Sequence, residues 1–142
     1  MKAIIQGIGQ KFMFIDRSFR HYMKVRFSEL NLDLAEGMIL LVLFEEIPVT
    51  QEYLATVLTM DKSAIARSLA NLCHMELASR VVNPEDRRSK LVVVTEKGLA
   101  HRQVVFSMLK SWSDRLFAGL DDNAVLNVNE TLDGLISNLK DI

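Results

Sequence analysis

Apolar residues recur along the chain at two kinds of spacing, and the switches between them mark its elements. At the start, Ile5, Ile8, Phe12, Ile15, Phe19 and Tyr22 alternate three and four residues apart, the stripe of one long helix. Leu34, Met38, Leu41 and Val42 give the apolar face of a second helix. It opens at Asp33, with Glu36 three residues on, an aspartate version of the capping box. A third helix starts at Thr50, a capping residue, with Glu52 in its positive first turn, and ends near Leu58. Only Thr59, Met60 and Asp61 separate it from a fourth, from about Asp61 to Met75, where Asp61 is expected to cap. With Ile65 at the centre of its buried face, a turn of about 100° per residue brings Leu69 and Leu72 onto that face. Ser63, Arg67, Ala70, Asn71 and His74 fall on the opposite side.

The period then shortens. "ASRVV" (Ala78 to Val82) and "KLVVV" (Lys90 to Val94) are β-branched runs around "NPEDRRS", which predicts an antiparallel hairpin turning at Asn83 and Pro84. Thr95 caps the next helix, predicted to be long and to bury Phe106, Leu109, Trp112 and Leu116. "AGLDDNA" breaks it, and Val125, Val128, Leu132, Leu135 and Leu139 form the stripe of a last helix. The expected fold is mainly α with a small β-hairpin: two short helices about a tight turn form a helix-turn-helix, winged by the hairpin and framed by longer helices.

Composition narrows what such a chain does. At 142 residues and 49% hydrophobic it suits one compact domain with a real core. No apolar run approaches the roughly 20 residues of a membrane span; the longest is Gly37 to Phe44. "MKAIIQGIGQKF" has neither the apolar core nor the cleavage site of a signal peptide. Cys73, the single cysteine, has no internal partner. A cytoplasmic protein without membrane contact is expected. The net charge of −1 is unevenly laid out. Thr59 to Lys90 holds six basic residues against four acidic, and Ser111 to Ile142 two against six. A polyanion would have to be met by the middle of the chain.

A helix with small outer side chains can enter the major groove of DNA. Ser63 and Ala64 would let its N-terminus approach closely, and Arg67 would reach a guanine edge or a phosphate. Thr50 and Gln51 begin the preceding helix, where side chains and backbone N–H groups hold phosphates. The hairpin would overhang the adjacent minor groove, which suits an arginine at its tip. Arg88 is that arginine, with Asp86 placed to orient its guanidinium. Lys62, Asn71, Arg87 and Lys90 complete the expected DNA-contacting set. Taken singly, arginines in a turn are ordinary solvated charges; it is the combination that points to DNA.

The stretch Val49 to Gly98 resembles the core of the MarR family (multiple-antibiotic-resistance regulators). The similarity lies in "DKSAIAR" at the start of the fourth helix and in Asp86-x-Arg88 followed by Val94-Thr95-x-x-Gly98. The flanking helices match in order and length. The resemblance implies a homodimeric winged-helix repressor or activator on a palindromic double-stranded operator. Residues 31–98 would bind DNA; 1–30 and 99–142 would form the dimerisation region, through Ile5, Ile8, Phe12, Ile15, Leu132, Leu135 and Leu139. Ser63, Ala64 and Arg67 would read the major groove, and Arg88 the minor groove. Thr59 departs from the pattern where many members carry glycine. Ala64 and Ala66 replace hydroxyl residues common in this helix, which favours reading by DNA shape.

Members of the family often bind small phenolic or lipophilic effectors between their dimerisation and DNA-binding regions. Phe14, His21, Met38 and His101 are the candidate pocket residues here. Cys73 reads as a packing residue, and the scattered histidines predict no metal site. No cofactor is expected. The sequence has no nucleophile elbow, phosphate loop or metal-ligand motif, so an enzyme is not expected. The alternative is a winged helix used only for protein contacts.

Overall fold

The structure, a computed structural model, describes residues 2–140, with side chains from residue 7 onward; the side chain of Ile5 lies outside the described residues. The chain divides into two compact units, Met1–Leu109 and Lys110–Ile142.

In the first unit α1 (Lys2–Ser28) leads to α2 (Leu34–Leu43). Met23 and Phe27, near the end of α1, are fully buried. The ring of Phe27 lies against Gly37 so closely that a Cβ there would collide with it. The capping box of α2 forms as expected: Asp33 accepts the Glu36 N–H at 2.7 Å, and Glu36 accepts the Asp33 N–H at 2.9 Å. The buried face of α2 differs from the expected one. Ile39, Leu40 and Leu43 are fully enclosed, while Leu34, Met38, Leu41 and Val42 are half-buried against the core. Nearly every position of "LAEGMILLVL" is apolar, so periodicity has little contrast with which to select a face.

Next come a two-residue strand β1 (Val49–Thr50), α3 (Gln51–Leu58) and α4 (Lys62–His74). Ile65, Leu69 and Leu72 of α4 are fully buried as predicted, with Leu54 of α3. Thr50 caps α3 by accepting the Tyr53 N–H at 3.1 Å. Asp61 stands at the N-cap of α4, but its side chain makes no capping bond. Its backbone carbonyl accepts the Ile65 N–H at 3.0 Å.

The hairpin strands β2 (Ala78–Val82) and β3 (Lys90–Val94) have the predicted bounds, Val82 facing Lys90 and Ala78 facing Val94. The sheet nevertheless has three strands in the order β1-β3-β2, because Val49 and Thr50 pair with Val92 and Leu91. Two residues are too few for a periodic signal. After β3, the predicted long helix is split into α5 (Glu96–Leu99) and α6 (Arg102–Leu116), separated by Ala100 and His101. The buried positions of α6 are Val105 and Met108, whereas Phe106 and Leu116 are exposed and Leu109 and Trp112 half-buried. Phe106 meets Phe44 edge-on, with 5.9 Å between ring centroids. Arg102 ties α6 to the end of α2, donating to the Phe44 carbonyl at 3.2 Å and to Glu46 at 2.9 Å.

In the second unit α7 (Asp122–Leu139) is capped by Asp121, which accepts the Ala124 N–H at 2.8 Å. No residue of α7 is buried, and Leu126, Val128, Leu132, Leu135, Ile136 and Leu139 are all exposed. Among the described residues no helix is long and apolar enough to cross a membrane.

Gly98 locks the base of the hairpin. Thr95 accepts the Gly98 N–H at 3.0 Å and donates to the Glu76 carbonyl at 2.6 Å. A Cβ on Gly98 would strike the Leu77 carbonyl oxygen and lie 2.8 Å from Val94 Cγ2. Backbone cannot move aside as a flexible side chain can. Gly98→Ala is therefore expected to destabilise the fold by about 1–3 kcal/mol, the range for overpacking. The check is the urea midpoint; an unchanged midpoint would refute this account of the glycine.

Candidate nucleic-acid interface

The candidate interface is built from the start of α3, the outer face of α4 and the hairpin tip. The turn between the helices is a Schellman-type closure. Met60 N–H donates to the Ala55 carbonyl at 3.0 Å and Thr59 N–H to that of Thr56 at 3.3 Å. Thr59 takes the left-handed conformation that closure requires, at φ 52° and ψ 47°. That is an uncommon place for a β-branched residue, and it explains why glycine would fit there. The tight turn fixes where α4 begins relative to the cap of α3.

Burying Ile65, Leu69 and Leu72 forces the other side of α4 outward. Ser63, Arg67, Ala70, Asn71 and His74 are exposed and Ala64 is half-buried, as predicted. Lys62 pairs with Glu52 at 3.3 Å. At the start of α3, Gln51 is half-buried. Asn71, expected to face DNA, turns its amide inward and donates to Glu36 Oε1 at 3.0 Å.

The hairpin tip is ordered by its own polar groups. Asn83 accepts the Glu85 N–H and donates to Ser89 Oγ at 3.1 Å. Ser89 N–H donates to the Asp86 carbonyl at 3.1 Å. Asp86 does not hold the Arg88 guanidinium as expected; its Oδ1 accepts the Arg88 backbone N–H at 3.0 Å. The carboxylate thus shapes the turn, and the guanidinium is left free to reach outward. Arg87, Arg88 and Lys90 are exposed.

The cations of this surface differ in their pairing: Lys62 meets Glu52, while the arginines of α4 and the hairpin meet no carboxylate among the described residues, as is also true of Arg17, Lys24 and Arg115 elsewhere. Arg20, Arg26, Lys97, Arg102 and Lys110 each meet a carboxylate within 3.5 Å. Arg67, Arg80, Arg87, Arg88 and Lys90 make no ion pair among the described residues. Cations held on an ordered frame without internal partners are available to an external anion.

Among the described residues, the candidate effector residues are found in different places. Met38 lines a cleft of about 360 Å³ with Phe19, Arg20, Leu34, Val57 and Met60. Phe14 and His21 line a more open groove along α1 with Arg17 and Lys24. His101 stands between α5 and α6, its Nδ1 3.1 Å from the Lys97 carbonyl. Cys73 is half-buried against the core. No group of three or more metal-binding side chains occurs among the described residues.

Comparison with known proteins places this geometry in a class. Residues 34–98 match the winged helix DNA-binding domain, and the chain has a winged-helix fold. Within that class it has the architecture of the MarR regulators, and the resemblance carried by Asp61 to Gly98 extends over nearly the whole chain. A MarR transcriptional regulator from Methanosarcina mazei Go1 is 25% identical. That alignment covers 96% of this chain and 99% of that one, with a TM-score of 0.88. A crystal structure of MarR is 26% identical over 95% of this chain and 98% of that one, with a TM-score of 0.78. A MarR-family regulator from Listeria monocytogenes, solved in complex with a 26mer DNA, is 22% identical. It has a TM-score of 0.86 over 93% of this chain and 88% of that one. No curated protein matches the chain in sequence.

Proposed function

We propose that the protein is a transcriptional regulator that binds double-stranded DNA as a homodimer and works in the cytoplasm as a repressor. The observation that carries this reading is the pairing of two surfaces. One is the small, polar outer face of α4 with Arg67; the other is an ordered hairpin tip with Arg87 and Arg88. None of the three arginines has a counter-ion among the described residues. The winged-helix match over residues 34–98 and the DNA-bound Listeria relative support it.

Ser63, Ala64 and Arg67 enter the major groove, while Thr50, Gln51 and Lys62 meet phosphates. Arg88 enters the minor groove, with Arg87 and Lys90 along the backbone. Homodimerisation follows from uncovered apolar surface. Ile8, Phe12 and Ile15 on α1 and Leu132, Leu135 and Leu139 on α7 are exposed in the single chain, more than a lone protein leaves open without a partner. Two-fold symmetry then calls for a palindromic operator with half-sites roughly one helical turn apart. A small phenolic or lipophilic effector occupies the largely apolar cleft beside Met38.

The first test is a gel shift with DNA from the protein's own upstream region, at two salt concentrations, against random competitor. Phosphate contacts make log K fall steeply with log salt. Specific, salt-sensitive shifts are expected; salt-insensitive association with protein partners and none with DNA would replace this reading with a docking module. Arg88→Ala should weaken operator binding and leave the dimer and its melting temperature nearly unchanged; binding at full strength would remove the wing from the interface. Arg67→Ala should lose ~1–3 kcal/mol of discrimination between operator and random DNA, and an equal loss on both would make it a phosphate contact. Replacing Phe12 and Ile15 with glutamate should give a monomer by sedimentation; a persistent dimer would exclude that stripe.

A further inference from the structure

We infer that Asn71 is a positioning residue, not a DNA contact: its amide and the buried carboxylate of Glu36 set the rotation of α4 on α2. The inference rests on reading α4 as the helix that enters the groove.

Glu36 is only 6% exposed, and a buried carboxylate needs hydrogen-bond partners. The capping box supplies one, the Asp33 N–H on Oε2. The other oxygen is met by Asn71 Nδ2, from 35 residues further along the chain. Asn71 lies in the last turn of α4. Along the helix axis it stands about 12 Å from Ser63, at 1.5 Å per residue, and helices of this kind read bases mainly with their N-terminal residues. One N–H of its amide is directed inward, at Glu36.

Apart from the buried Ser68 and the half-buried Cys73, α4 meets the core through aliphatic side chains. Burial of Ile65, Leu69 and Leu72 opposes separation but is non-directional and tolerates small rotations about the helix axis. A charge-assisted hydrogen bond to an anchored carboxylate is directional. Arg67 precedes Asn71 by four residues and so shares its face. Fixing the direction of Asn71 fixes that of Arg67.

The test exchanges the partners. N71D sets two carboxylates against each other. E36Q keeps a capping-box side chain, since glutamine serves at that position, and the Asn71 amide can turn to present its oxygen. In the double variant E36Q/N71D the bond re-forms with the charge moved to residue 71. Each protein is assayed by gel shift, well below its melting temperature, on DNA selected by the wild type from a random pool and on unselected DNA. Thermal unfolding of each is recorded alongside.

N71D is expected to lose about tenfold in affinity for the selected DNA, the scale of one charge-assisted hydrogen bond, with little change on unselected DNA. E36Q should remain near wild type, and E36Q/N71D should regain most of the loss. A folded double variant that binds no better than N71D would mean that Asn71 touches DNA itself, and would overturn the inference. A wild-type chain that selects no DNA would overturn the functional reading and this one with it. Restoration of the melting temperature in the double variant, which needs no DNA, would then still separate a real bond from an absent one.

Discussion

The arrangement depends on the burial of one face of α4. Ile65, Leu69 and Leu72 have no solvent exposure, and enclosing an aliphatic side chain of this size contributes about 1.5–3 kcal/mol each. Those three side chains seat the helix, which packs on α2, α3 and β2, and the rest of the first unit follows from supplying their walls. Ile39, Leu40 and Leu43 come from α2, Leu54 from α3 and Val92 from the sheet. A helix held so firmly on one side can carry small polar groups and an unpaired arginine on the other without losing its place. The apolar face provides the stability and the polar face the chemistry, and the helical period keeps them apart.

Local chemistry was the most legible part of the sequence. The capping pair Asp33 and Glu36, the caps Thr50 and Thr95, and the bounds of both hairpin strands each depend on neighbours within a few residues, so the pattern carries them. The face of α4 was legible because its polar and apolar positions contrast strongly. Where that contrast is weak, as in the nearly all-apolar α2, the face expected from Leu34, Met38, Leu41 and Val42 was not the fully enclosed one. The split at Ala100 and His101 carries no glycine or proline to announce it. The role of Asp86 turned on a choice between a backbone N–H and a guanidinium that are equally near in sequence. The bond from Asn71 to Glu36 joins residues 35 positions apart, and nothing in either neighbourhood signals it. The outward face of the candidate region was thus mostly visible in the sequence, but the side-chain bonds of Asn71 and Asp86 were not.

The apolar stripes teach a related lesson. Heptad-like spacing in α1 and α7 states that one side of each helix is apolar; it does not state what covers that side. Met23 and Phe27 extend the apolar positions of α1 into the core, whereas Phe12 and Ile15 on the same helix stay open in the single chain. One helix thus changes its surroundings partway along its length.

The two-residue strand β1 has a mechanical consequence. Val49 and Thr50 are hydrogen-bonded to β3, the strand that returns from the hairpin tip. Thr50 is also the cap on which α3 begins, and α3 leads through the closure at Thr59 into α4. The hairpin and the helix pair are therefore joined twice, once through the chain after α4 and once through this short ladder. A double joint of that kind works as a brace. Displacing the hairpin relative to α3 and α4 requires breaking the backbone hydrogen bonds that join Val49 and Thr50 to β3, so the two move as one piece.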